Sequence, residues 1–331
     1  MTAMPAGVGV LSRPAPLAPR VEGAPPLPSP EMQLLIFGGK GGVGKTTLAC
    51  ATALRLAAER PDREVLLVST DPAPSVSVCL DQTVGPEPTR VCTGLAAMEI
   101  DAQTEFETLK RQYAAELERV LASVLPNLDL TFDRHVMERI LDLSPPGLDE
   151  VMALSRAAEL LAAGTYDLLV LDAAPTGHLV RLLEMPELID RWLKVLFEVL
   201  LKYRNVLRLP DVSERLVRLS RNLKRVRALL ADPRRAALYT VTIPTEMAYE
   251  ETRDLLAACE RLVSAPVVFI NLTTPGSDCP LCCALRCRES RVEDKLASLV
   301  PRVHRALVYR CREPQGQERL RELGRAMYLP R

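Results

Sequence analysis

Gly38-Gly39-Lys40-Gly41-Gly42-Val43-Gly44-Lys45-Thr46-Thr47 carries the pattern G-x-x-x-x-G-K-[ST], read from Gly39 to Thr46. Its neighbours fit a phosphate-binding loop. Gln33-Leu34-Leu35-Ile36-Phe37 is a short apolar run, bounded by polar residues and prolines before it and glycines after it, and reads as a buried strand. Thr47 to Arg60 is rich in Ala and Leu and reads as a helix. The glycines let the chain turn tightly and bring backbone N–H groups close to phosphate oxygens. The helix N-terminus adds partial positive charge. In this arrangement Gly39, Lys40, Gly41, Gly42, Val43, Gly44, Lys45, Thr46 and Thr47 line the phosphates. Lys45 reaches the β- and γ-phosphates, and the Thr46 hydroxyl serves Mg²⁺. The pattern has no need of Lys40.

Two acids follow apolar strands. Glu64 to Thr70 reads as a second strand running into Asp71, and Tyr166 to Leu171 as another ending at Asp172. In open α/β sheets ligands sit beyond the carboxyl ends of the strands. Asp172 therefore suits support of Mg²⁺, and Asp71 suits positioning the attacking water. The structural alternative for either is a helix cap or turn. Further strands are expected near 97–100, 237–243, 266–271 and 305–309. Helical patterns are expected over 103–164, 187–204 and 211–231. Strands alternating with helices imply a parallel sheet covered on both faces. The expected fold is a doubly wound α/β P-loop NTPase with an inserted helical subdomain, roughly 101–165 and 186–235.

The 331 residues include 42 basic and 42 acidic side chains, so net charge is zero. A nucleic-acid binder of this size normally shows a basic excess. No run of about 20 apolar residues marks a membrane span, and Met1 to Pro30 lacks a signal-peptide core. That proline-studded start reads as a flexible tail over 1–31, leaving 32–331 as the ATPase domain. A cytoplasmic location is expected, with most of the nine cysteines reduced.

Taken together these stretches resemble the ArsA-type ATPases, which include the arsenite-pump ATPase and the cytosolic ATPase that targets tail-anchored membrane proteins. The resemblance rests on the loop with its second lysine (the deviant Walker A of SIMIBI-class P-loop proteins), on Asp71-Pro72-Ala73-Pro74-Ser75-Val76-Ser77, and on Asp172-Ala173-Ala174-Pro175-Thr176-Gly177-His178. Pro146-Gly147-Leu148-Asp149-Glu150 adds to it. It implies a homodimer in which Lys40 reaches the partner's phosphates and Asp71 orients water. Asn271 would contact adenine, and Cys311, Arg312 and Glu313 would form the other wall of the base pocket. Two departures stand out: Pro74 where the family has His, and Ala173 where it has Thr. Proline is stiff, so the expected consequence is an altered switch-closing energy.

Cys279-Pro280-Leu281-Cys282 supplies two thiolates, half of a tetrahedral zinc site. In the targeting branch a C-x-x-C here holds Zn²⁺ shared across the dimer. Cys283 and Cys287 leave open a four-ligand site within one chain, or free thiols on a surface loop. Arsenite is thiophilic, yet no cysteine lies between Cys92 and Cys259, and the pump ATPase is usually two fused halves. Trp192 to Leu201 is apolar and suits either a groove for a hydrophobic client or ordinary core packing. The basic run carrying Arg215, Arg218, Arg221, Lys224, Arg225 and Arg227 reads as a solvated face, with anionic lipid headgroups as the alternative. The main reading is a switched homodimer that binds ATP, Mg²⁺ and Zn²⁺ and delivers hydrophobic segments. The alternatives are the motor of a metalloid efflux pump, working on a transporter subunit, and a nitrogenase-like electron carrier.

Overall fold

A computed structural model describes residues 18–70, 75–100, 156, 159–173, 177, 179–180, 183 and 210–330. Most of the helical stretch expected over 103–164, the helix expected over 187–204, the apolar run at 192–201 and the segment at 146–150 lie outside these residues. So does Asp71.

The described chain forms β1 (Val21–Glu22), β2 (Leu34–Gly38), α1 (Lys45–Glu59), β3 (Val65–Ser69), α2 (Ser75–Leu80), β4 (Thr89–Cys92), β5 (Leu95–Glu99) and β6 (Leu168–Asp172). It continues with α3 (Pro210–Leu230), β7 (Ala236–Thr242), α4 (Glu246–Cys259), β8 (Val267–Thr273), α5 (Pro280–Leu299), β9 (His304–Tyr309) and α6 (Gln317–Met327). The nine strands make one sheet in the order β1-β9-β8-β7-β2-β6-β3-β5-β4. The two edge strands pair antiparallel, and every pairing between them is parallel. The doubly wound reading holds.

Alternation along the strands divides the core. Leu34, Ile36, Leu169, Leu171 and Leu238 pack with Leu223 and Val226 of α3 and Leu255 of α4. Leu35, Phe37, Val170, Tyr239 and Phe269 face the other way, towards Leu48 and Leu54 of α1 and Leu320 and Leu323 of α6. Successive residues of a strand point to opposite faces, so strands apolar throughout need cover on both sides. Under the loop that follows β2, the rings of Phe37, Tyr239, Phe269 and Tyr328 meet with centroids 5.8–6.5 Å apart. This rigid floor matters because the loop above it must hold its shape.

Composition misreads two regions. From residue 18 the proline-rich start is built into the fold: Val21 pairs with Val308, Leu329 donates its N–H to the Pro25 carbonyl, and Arg63 donates to the Met32 carbonyl at 2.9 Å. Proline lacks a backbone donor but keeps its acceptor, and here the carbonyls of that stretch do the binding. The antiparallel β4 also escaped notice, since Thr-Arg-Val-Cys has one buried residue. Among the described residues no helix is long and apolar enough to cross a membrane.

Candidate functional site

The phosphate side grows out of β2. At its end Gly39 adopts φ 151°, and a Cβ there would lie 2.0 Å from the Val241 carbonyl oxygen. Only glycine fits between β2 and the end of β7. Gly44 closes the loop with φ 92° as the N-cap of α1. It gives no side-chain cap, and the first turn of α1 carries no acid. The helix thus presents its first N–H groups and its dipole to the space above the loop, a ready site for an anion.

Lys45 is buried, and its ammonium donates to the Lys40 carbonyl at 3.0 Å. Thr46 Oγ1 donates to Asp172 Oδ2 at 2.7 Å, and Ser69 Oγ lies 3.4 Å from the same oxygen. Asp172 is 1% exposed. The structure therefore brings together the hydroxyl and carboxylate singled out for Mg²⁺. A threonine oxygen beside a carboxylate is an oxygen donor set suited to that ion. The parallel register explains the meeting: Phe37 lies opposite Asp172, and Ser69 lies opposite it from the other side. Thr70, the residue before Asp71, donates its N–H to the Asp172 carbonyl.

Lys40 points away from its own loop's centre. Its ammonium pairs with Glu251 Oε1 of α4 at 2.8 Å, both side chains about a third exposed. Sequence reasoning passed over Glu251, whose surroundings on a helix give no local cue.

The residues expected around the base come from distant pieces of the chain. Asn271, near the end of β8, is buried and donates through Nδ2 to the Val43 carbonyl at 2.8 Å. A Cβ on Gly44 would meet that same nitrogen at 2.4 Å. Cys311 is half-buried, which pushes its thiol pKa up, while Arg312 and Glu313 are exposed. This segment follows β9 and leads to Gly316, whose N–H donates to the Cys79 carbonyl on α2.

Helix α2, which begins at Ser75 after Asp71 in the sequence, has its start held by Glu99. One carboxylate oxygen accepts the N–H groups of Val76 (2.7 Å) and Ser77 (3.2 Å), and the other accepts Ser77 Oγ at 2.6 Å. A carboxylate on the first N–H groups of a helix is favoured by charge and geometry. Glu99 ends β5 just as Asp172 ends β6, a signal that could have found it.

The cysteine motif opens a helix rather than lying in a loop. Cys279 is the N-cap of α5, and Cys282 sits in its first turn. Hydrogen bonds from the N–H groups of Cys282 and Leu281 lower the Cys279 thiol pKa, while the hydrogen bond with Cys279 is the largest cause raising that of Cys282. The exposed Cys283 Sγ donates to the Ser277 carbonyl at 3.0 Å. Among the described residues no three His, Cys, Asp or Glu side chains converge in a metal-binding group.

A glycine-turned strand-to-helix loop, a buried acid beside its threonine and a parallel sheet define a P-loop nucleotide-hydrolysing protein. A sequence model of the anion-transporting ATPase family, ArsA, matches residues 32–329. The chain belongs to the ArsA ATPase family and is an ATP-hydrolysing enzyme that uses Mg²⁺. It is 28% identical over 320 residues to a protein of Podospora anserina named ATPase GET3, which covers 90% of this chain and 91% of that one. It is 30% identical over 293 residues to ATPase GET3B of Arabidopsis thaliana, spanning 79% of this chain and 69% of the relative. ATPase ASNA1 homolog 2 of Paramecium tetraurelia is 26% identical over 300 residues, 84% and 87% of the two chains.

Proposed function

We propose that the protein is a cytoplasmic homodimer whose ATP-driven opening and closing binds and delivers hydrophobic segments of membrane proteins, tail-anchored ones first among them. The observation that carries this reading is its likeness over nine-tenths of its length to ATPase GET3, joined to a single ATPase unit in the chain. A metalloid pump motor draws less support, since the long middle of the chain holds no cysteine to take arsenite.

The chemistry assigned to the site is positional. Lys45 and the first N–H groups of α1 neutralise the β- and γ-phosphates. Thr46, with Asp172, would hold Mg²⁺, which would supply positive charge to the phosphate oxygens. Asp71 orients the attacking water. Lys40 leaves Glu251 and meets the phosphates of the partner subunit when the dimer closes, which an exposed pair of small net value permits. Asn271 and the segment Cys311 to Glu313 hold the base. Closure at the nucleotide changes the affinity for the client.

Zn²⁺ shared between two protomers fits the thiols present. Cys279 is exposed and held towards the thiolate by helix N–H groups, and Cys282 stands one turn on. Native mass spectrometry should then show a dimer with one zinc ion, lost together in Cys279→Ser.

The test of the main reading is Asp71→Asn, loaded with ATP in cells and purified with whatever it holds. Enrichment of proteins with one C-terminal membrane segment supports delivery of hydrophobic segments. Recovery of a single polytopic transporter would make the protein a pump motor instead.

A further inference from the structure

The end of β8 is irregular. Its pairing with β9 shifts register between Ile270 and Thr273. Leu272, between them, has φ 57°, and left-handed backbone is unfavourable for a residue with a Cβ. Leu272 is 36% exposed, so core packing does not force it there. Asn271 is the residue just before this strained position.

Immediately after it the chain is clasped. Thr274, 3% exposed, donates its N–H to one oxygen of Glu289 at 2.7 Å and its hydroxyl to the other at 2.8 Å. Glu289 lies fifteen positions further on, in α5, and is only 2% exposed. The Arg310 guanidinium stands 3.9 Å from it, and the Arg310 N–H donates to the Thr273 carbonyl at 2.9 Å. One buried carboxylate thus grips the end of β8 and faces the end of β9, the two strands that lead into Asn271 and the 311–313 segment.

Burying a carboxylate is costly unless its oxygens are satisfied, and an apolar side chain in α5 would pack at lower cost. Strained backbone persists where its surroundings over-determine it, and such places gather at ligand sites. Resting on the reading that Asn271 and residues 311–313 hold the base, we propose that Glu289 is a positioning residue of that pocket, fixing Asn271 by clamping the strained strand end through Thr274. Glutamine in its place keeps the size but offers an NH₂ group where a Thr274 donor points. The strand end then relaxes, and the Asn271 amide leaves its place.

The experiment is steady-state hydrolysis of ATP and GTP by the full-length protein, comparing wild type, Glu289→Gln, Asn271→Ala and the double variant Glu289→Gln/Leu272→Gly. Glu289→Gln should raise KM for ATP about tenfold, with kcat within about twofold, and lower the preference for ATP over GTP. Glycine at 272 adopts the left-handed backbone freely, so the double variant should recover most of the lost affinity. Merely structural damage predicts neither the altered base preference nor that recovery. Thr274→Val, which removes only the hydroxyl donor, should show the same pattern about threefold and serves if Glu289→Gln does not fold. Unchanged KM and base preference in the Glu289 and Thr274 variants, or equal losses for ATP and GTP, would overturn the proposal. If Asn271→Ala loses the preference for ATP while Glu289→Gln keeps it, the clasp alone is wrong. If Asn271→Ala keeps it, the base-site reading falls and the clasp with it.

Discussion

The phosphate loop and the proposed base pocket are built in opposite ways. From Gly38 to Thr47 the loop is one stretch of chain, stiffened by a strand before it and a helix after it. Its conformation follows from glycines where a Cβ cannot go and from a helix that leaves its N–H groups open. The proposed base pocket draws on β8, α5 and the segment after β9, tied by Asn271 to the loop and by Glu289 to Thr274. A local device tolerates distant change. A composite one transmits it, because each piece has its position only through the others.

Gly44 is where the two sides touch, and it offers the largest expected effect. Gly44→Ala places a Cβ into a left-handed backbone and against the Asn271 amide. We expect kcat/KM for ATP to fall by at least about a hundredfold, as loss of placed transition-state donors does. Phosphate release measures it, and near-normal turnover would mean the two sides are not in contact.

Asn271→Ala sharpens the comparison by sparing the phosphates. On the proposed reading the amide serves binding and not the reacting atoms, so KM for ATP should rise about tenfold with little change in kcat. A loss confined to kcat, seen in a full saturation curve, would place Asn271 with the phosphate machinery.

Glu99→Gln probes the third element, α2, which borders both sides. Weakening a charged cap is worth about 1 kcal/mol, or roughly a fivefold fall in kcat if α2 must hold Asp71 in place. Equal kcat in the two proteins would detach α2 from turnover. The smallest effect is expected for Glu251→Gln, which releases Lys40 from an exposed pair. Such pairs contribute at most about 1 kcal/mol and are screened by salt, so hydrolysis should rise about twofold at low ionic strength and less at high. A tenfold change would show the pair to be a latch.

Much of this was legible in the chain. Strands such as Leu34–Gly38 and Leu168–Asp172 are apolar throughout because both faces are covered, and they lie within a residue or two of where periodicity puts them. The loop pattern and Asp172 were readable because strand, turn and helix are neighbours in sequence. Glu251 and Glu289 were not. A carboxylate that holds something far along the chain resembles any solvated glutamate until the fold brings its partner. The start of the chain misled for a related reason: its prolines suggest freedom, while its carbonyls are fastened by Arg60, Arg63 and the edge of β9.

By itself the sequence determined a parallel α/β sheet, a phosphate loop after its first long strand and an acid to stand beside Thr46, because each follows from the chemistry of residues a few positions apart. Tertiary structure alone decided that Lys40 rests on Glu251, that Asn271 braces the loop from another strand, and that a buried glutamate closes the far side. Those contacts join segments separated by tens to hundreds of residues, and only the packing of helices and loops on the folded sheet brings them together.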